Sequence, residues 1–394
     1  MRSAALTTSA TALRLLPSPR LDCGLAARVP LQHTLRGGGP RSSTFRSTTR
    51  LSKSAAVLLA SAEAMKVVVA TVVPSQGRDA IAEFCTSLEG CDLFAWPKEE
   101  QIPRDQLLEK VAGADFLLVS LRERVDAELL DAAGPQLRSI STFSVGYDHV
   151  DIAECVKRGV KVGNTPGVLT ETTADTGFAL MMATARRVPE AVDAVKSGAW
   201  GDWRPEWMCG KDVWGSTVGI IGLGRIGLAF ARRASGFGCP ILYSGRSRKP
   251  EAEEELLKRG CPSVRYVEQA ELIASCDFLV PMCELNDETR GMFNQEVFAA
   301  MKPSAVFINI TRGGVVDQED LYEALAGGQI AAAGLDVTTP EPLPPTHRLL
   351  TLPNCVVFPH IGSASMATRQ KMSMLAAKNL IAAIKGEEMP HPVA

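Results

Sequence analysis

A chain of 394 residues exceeds one ordinary domain, so two compact units are the expectation. Hydrophobic content of 46% beside 22% charged residues fits a globular protein, and no apolar run approaches the length of a membrane span. The net charge of −2 hides an asymmetry: residues 1–64 hold eight arginines and Lys53 against Asp22 and Glu63, a surplus of seven that leaves −9 on the remainder. An acidic body excludes the basic face that nucleic-acid binding needs.

The first 64 residues, rich in Arg, Ser, Thr and Ala, have the composition of a mitochondrial or plastid transit peptide and stand outside the fold. The alternative is a disordered tail, with initiation at Met65 giving a cytosolic body. From Met65 onward short apolar runs alternate with helical stretches, the pattern of βα units on a parallel sheet. Strands are predicted at 66–72, 91–95, 115–120, 138–142 and 161–163, with helices at 77–88, 105–111, 126–132 and 151–157 between them. A long helix over 170–187 follows, then the stretch 198–210 with Trp200, Trp203 and Trp207, a composition that reads as an interface or lid. Further strands are predicted at 216–222, 241–243, 278–281, 305–309, 330–336 and 355–358, and a closing helix at 364–385. The ten cysteines include no C-x-x-C pair, which reads as small buried residues in a reducing compartment, without a metal site or disulfide framework.

Gly222-Leu223-Gly224-Arg225-Ile226-Gly227 closes the strand at 216–222 and opens a helix, which is the context a dinucleotide-binding G-x-G-x-x-G requires. Gly222 permits the tight turn, Gly224 admits a pyrophosphate to the backbone, and Gly227 allows close helix–strand packing. No acid ends the following strand. Gly245 is succeeded by Arg246, Ser247, Arg248 and Lys249, a set that suits the 2′-phosphate of NADPH over NADH. The plainer alternative is a solvated basic turn balancing Glu251, Glu253, Glu254 and Glu255.

Reduction of a small 2-oxo acid needs a cation for the carboxylate and carbonyl and a proton donor for the new hydroxyl. His360 follows the apolar strand Val356–Phe358, at the strand end where ligands of a parallel sheet bind, whereas His149 and His347 occupy less committed loops. Arg312 follows another strand and precedes Gly313 and Gly314, so its guanidinium is free to fork a carboxylate. Glu341, held between Pro340 and Pro342, would fix the tautomer of a neighbouring histidine and keep a proton available near neutral pH.

Ser144-Val145-Gly146-Tyr147-Asp148, the glycine motif at Gly222, Ile310–Gly314, Gly334–Val337 and Pro359-His360-Ile361-Gly362-Ser363 together resemble the D-isomer-specific 2-hydroxyacid dehydrogenase family over essentially all of residues 65–394. Pro340–Pro344, Trp200-x-x-Trp203 and the Gly245-Arg246 turn look closest to its glyoxylate/hydroxypyruvate reductase branch. The resemblance implies Arg312, Glu341 and His360 as the catalytic trio, with His360 the proton donor. It implies substrate carboxylate binding by the amides of Val145 and Gly146, with Ser363 nearby. Asp336 would orient the nicotinamide carboxamide, and Gly362, Ile310, Cys283 and Glu284 would line the cofactor cleft. Glu284 departs from the family, in which proline is common.

The fold implied is α/β with two doubly wound parallel sheets. A Rossmann cofactor domain at 169–365 is inserted in a flavodoxin-like substrate domain of residues 66–168 and 366–394. The family also implies a homodimer in which a Trp203-bearing loop reaches the neighbouring active site. The competing expectations are a nucleotide-sensing corepressor of the same fold and phosphoglycerate dehydrogenase. The basic ribose turn speaks against both, since an NAD(H) protein would place an acid there.

Overall fold

The computed structural model describes residues 64–393, so the leader and its targeting lie outside the described residues. Chain order runs through β1 (Met65–Val69), β2 (Cys91–Ala95), β3 (Phe116–Val119), β4 (Ser139–Thr142) and β5 (Lys161–Gly163), with a helix in each interval. These strands pair in parallel in the order β2-β1-β3-β4-β5, the flavodoxin-like arrangement. β3 and β4 are buried along their whole length, as strands covered by helices on both faces must be.

A second sheet follows from β6 (Val218–Ile221), β7 (Ile241–Ser244), β8 (Val264–Tyr266), β9 (Phe278–Pro281), β10 (Val306–Asn309), β11 (Ala332–Leu335) and β12 (Cys355–Val357). Its seven parallel strands take the order β12-β11-β10-β9-β6-β7-β8, so the direction of winding reverses between β6 and β9. At such a switch point the flanking loops part and leave a crevice beyond the strand ends. The fold is thus α/β with two parallel sheets, of five and seven strands.

The chain returns to the first sheet through the helix Met366–Ile384, whose Met372, Ala376, Ala377 and Leu380 pack in one core cluster with Val67, Phe116 and Leu118. Ser141 Oγ donates to Ala376 O at 2.9 Å, and Val393 N donates to Val162 O at 2.7 Å, so the last residues close over β4 and β5.

Two elements differ from the sequence expectation. The helix predicted over 170–187 ends at Ala185, and a second helix, Val188–Lys196, starts after Arg187 turns left-handed at φ 53°. Pro189 in its first turn, where no amide donor is needed, makes that restart favourable. The strand β8 carries no apolar run: its residues Val264, Arg265 and Tyr266 are half-buried to exposed at the sheet edge, where packing demands little of the sequence. Among the described residues no helix is long and apolar enough to cross a membrane, and no cluster of His, Cys, Asp or Glu could hold a metal ion.

Candidate active site

The crevice at the β6/β9 switch point continues into a cleft of about 290 Å³, walled by both halves of the chain. Gly224, Arg225, Ile226 and Gly227 line it after β6, Met282, Cys283 and Glu284 after β9, and Ile310, Thr311 and Arg312 after β10. Gly222 makes the turn possible. Its φ is +101°, and a Cβ there would stand 2.8 Å from Met282 O. A Cβ on Gly224 would instead meet nothing within 4 Å, at the start of the helix Arg225–Gly236, which has no side-chain cap. That open cradle at an uncapped helix N-terminus fits a dinucleotide pyrophosphate.

At the ends of β10, β11 and β12 the charged side chains are tied in pairs. His360 adopts the left-handed region with φ 52°, held there by its N–H donating to Asp336 O at 2.9 Å. Its Nδ1 is bonded to Glu341 Oε1, and because a carboxylate only accepts, that nitrogen is the donor and Nε2 is left for the cleft. Glu341 is presented by a loop pinned elsewhere: Thr339 N donates to Gln318 Oε1 at 2.7 Å, and Thr338 Oγ1 to Pro340 O at 2.8 Å. Asp336 Oδ1 accepts from Ile361 N and Oδ2 from Gly362 N, each at 2.8 Å, so this carboxylate fixes the loop that carries His360. Each oxygen keeps capacity for one more donor. Burial raises the Asp336 carboxyl above its ordinary range, opposed by those amides and by His360.

Arg312 faces this pair from the β10 end. Buried Asn309 shapes its turn, accepting from Thr311 N at 3.0 Å and donating to Arg312 O at 2.9 Å. The guanidinium Nε donates to Asp148 Oδ1 at 2.7 Å, which bridges the two halves of the chain. Burial works to raise the Asp148 carboxyl, and Arg312 outweighs it, holding it below the usual carboxylate range. Gly146 allows this approach: a Cβ there would lie 1.9 Å from Arg312 Nη2.

The loop Ser144–Gly146 is anchored by its carbonyls. Thr165 N donates to Ser144 O, Asn164 Nδ2 to Val145 O at 2.8 Å and Ser144 Oγ to Gly146 O at 2.7 Å. The amides of Val145 and Gly146 have no acceptor among the described residues, and both residues line the cleft. Two free donors on the wall of one cleft have the chemistry to receive a carboxylate. Beneath it, Thr142 Oγ1 bonds Ser144 Oγ at 2.7 Å and His149 Nε2 at 2.9 Å. Burial drives the His149 imidazole down to about 4, so it serves as a neutral support.

The other residues singled out in the sequence divide between the cleft and the surface. Ser363 and Gly362 are on the cleft wall, but Arg246, Ser247, Arg248 and Lys249 are not. Their turn sits beside Gly222, since a Cβ on Gly245 would be 3.8 Å from Gly222 Cα. Arg246 is exposed, Lys249 Nζ donates to Ser247 Oγ at 2.9 Å, and Arg248 forks Glu253 at 2.9 and 2.7 Å. Arg248 thus balances a buried acid that also accepts from Tyr243 Oη at 2.5 Å, in line with the plainer reading of this part of the turn. Trp203 is 78% exposed and does not line the cleft of its own chain. Asp148, Asn309 and Arg369 were not singled out as site residues from sequence, since each matters through a neighbour brought close only by folding.

Comparison with known proteins places residues 178–362 in the family model for the D-isomer-specific 2-hydroxyacid dehydrogenase NAD-binding domain. The chain is 52% identical over 330 residues to the glyoxylate reductase/hydroxypyruvate reductase of Mus musculus, covering 84% of this chain and 98% of that one. It is 51% identical over 327 residues to the corresponding Homo sapiens protein, covering 83% and 97%. Among solved structures, the NADPH-dependent glyoxylate/hydroxypyruvate reductase of Sinorhizobium meliloti, in complex with NADP and malonate, superposes with a TM-score of 0.70 at 32% identity, over 84% of this chain and 97% of that one.

Proposed function

Since the chain belongs to the D-isomer-specific 2-hydroxyacid dehydrogenase family, we propose that it reduces glyoxylate to glycolate and hydroxypyruvate to D-glycerate, with NADPH preferred to NADH. The observation that carries this reading is the convergence in one cleft of two free amides, a bridged guanidinium and a carboxylate-paired imidazole. The amides of Val145 and Gly146 and the fork of Arg312 grip the substrate carboxylate. Arg312 also polarises the C2 carbonyl, where negative charge grows as the bond is reduced. When bound, the reduced dinucleotide supplies the hydride for C2. His360 delivers the proton to the new alkoxide from Nε2, and Glu341, bonded to Nδ1, holds the ring in the orientation this needs. Asp336 sets the loop beneath His360, and its remaining lone pairs would accept from the nicotinamide carboxamide when the dinucleotide is bound.

NADPH preference rests on Arg246, with Ser247 and Lys249, in a turn packed against the pyrophosphate cradle and without an acid at the strand end. The same reading divides the chain into a substrate domain of residues 66–168 and 366–394 and a cofactor domain of 169–365. It pairs two copies through the exposed stripe Val188, Val192 and Val195 together with Trp200 and Trp203, which brings Trp203 to the neighbouring cleft. Steady-state assays with glyoxylate, hydroxypyruvate, pyruvate and phosphohydroxypyruvate, each with NADH and NADPH, test the proposal. The expected result is fastest turnover of the first two with NADPH. Preference for phosphohydroxypyruvate with NADH would point to phosphoglycerate dehydrogenase, and no turnover to a nucleotide-sensing protein.

A further inference from the structure

We infer that Arg369 is a specificity residue whose guanidinium donates to the oxygen on C3 of the substrate, so that the cleft favours hydroxypyruvate over acids of equal length lacking that oxygen. The inference rests on the reading that the cleft binds a small 2-oxo acid. Arg369 lies in the first turns of the helix Met366–Ile384, and with Met372, one turn further on, it lines the cleft that holds Arg312 and His360. Its guanidinium stands 6.0 Å from the ring of Phe143, the residue that precedes the carboxylate-binding loop. It therefore belongs to the substrate side of the cleft, not to the nucleotide track along Gly224–Gly227.

Every other cation at this corner has an acid: Arg312 has Asp148, and His360 has Glu341. Arg369 has none. Among the described residues no acceptor lies within hydrogen-bond reach of its guanidinium. Burial pulls its pKa below the usual arginine value, and the field of Asp336 offsets this only in part. A half-buried guanidinium offers five donors in a fixed fork and is costly to leave unpaired. A ligand oxygen is the natural partner.

The remaining assignments leave one place for it. The substrate carboxylate is taken by Val145, Gly146 and Arg312, and the C2 oxygen by Arg312 and His360. What remains is the substituent on C2, and the cleft wall includes the apolar Leu121, Phe143 and Met372 beside Arg369. Of the polar residues on that wall, Arg369 is the one placed beside Phe143.

Pyruvate differs from hydroxypyruvate by the single C3 oxygen and so isolates the contact. Steady-state kcat/KM is to be measured on hydroxypyruvate, pyruvate and glyoxylate for the wild type, Arg369→Met and Arg369→Lys. A charge-assisted hydrogen bond is worth about ten- to a hundredfold in such a ratio. The wild type should prefer hydroxypyruvate to pyruvate by at least that factor. Arg369→Met should collapse the ratio by the same amount, costing hydroxypyruvate far more than glyoxylate, and Arg369→Lys should recover part of it. A ratio unmoved in both variants, or equal losses on all three substrates, overturns the inference and leaves Arg369 as a counter-charge to Asp336. NADPH affinity and melting temperature show whether each variant folds, and if Arg369→Met does not, the ratio in Arg369→Lys decides. Failure of the wild type on both glyoxylate and hydroxypyruvate would instead remove the underlying function. A wild type active on both but indifferent to the C3 oxygen removes only Arg369.

Discussion

At the corner where β10, β11 and β12 end, Arg312 is bonded to Asp148 and His360 to Glu341, while in the turn after β7 Arg246 stands in solvent and the Lys249 ammonium is bonded to the neutral hydroxyl of Ser247. Both regions are basic strand-end loops of one sheet, and their sequences look equally suited to an anion. The corner is braced by three strand ends, by Asn309 and Asp336 beneath, and by Asp148 from the other half of the chain. The turn is braced by Arg248, whose charge Glu253 cancels. Chemistry at C2 needs atoms held to a fraction of an ångström, which bracing supplies. Attraction of a phosphate dianion needs only charge nearby, which a solvated arginine supplies at lower precision.

If this contrast is right, the largest loss comes from the corner. His360→Ala should lower kcat by roughly two to four orders of magnitude while NADPH affinity stays within a few-fold. Near-normal turnover in that variant would remove His360 as the proton donor.

The support under the Ser144–Gly146 loop makes a prediction about acid stability. Burial holds the folded-state pKa of His149 at about 4 against an ordinary 6.5, with Asp148 opposing that shift and Arg312 adding to it. Between those two values the unfolded chain binds a proton that the folded chain refuses. The contribution is therefore complete above about pH 6.5 and is lost as pH falls toward 4, by up to about 3 kcal/mol. His149→Gln should flatten urea-denaturation stability across that window. An unchanged slope would assign the acid sensitivity to other groups.

In the ribose turn the effects should be smaller and confined to one cofactor. Arg246→Ala should weaken NADPH by about ten- to a hundredfold and leave NADH almost unchanged. Gly245→Asp, at a position with only ordinary contacts, should add repulsion of the phosphate and turn the preference toward NADH. Equal losses for both cofactors, measured by fluorescence titration, would make these cations a solvated turn.

The smallest effect belongs to Arg248. Its fork on Glu253 already neutralises it, so Arg248→Ala should change NADPH affinity by less than about threefold while lowering thermal stability. A loss on NADPH as large as that from Arg246→Ala would mean that the ion pair opens for the phosphate.

What the sequence determined by itself was whatever local pattern encodes. The apolar run at 278–281 coincides with β9, because a strand buried on both faces must be apolar at every position. The runs at 91–95 and 161–163 coincide with the edge strands β2 and β5, where Asp92 and Lys161 are exposed. Gly222 and the residues around it were legible as a turn into a helix, since the conformation and close contacts there admit only glycine. His360 and Arg312 were recognisable by their place after apolar strands. Tertiary structure alone decided the rest. Nothing near Arg312 in the chain announces Asp148, 164 residues away, and nothing near Met366 says that its helix returns to bring Arg369 over the cleft. Arg248 and Arg246 are alike as letters, and only the position of Glu253 one helical turn on separates a structural cation from a free one. Propensity and burial are written along the chain, whereas the pairing of charges depends on distances that exist only once both sheets have formed.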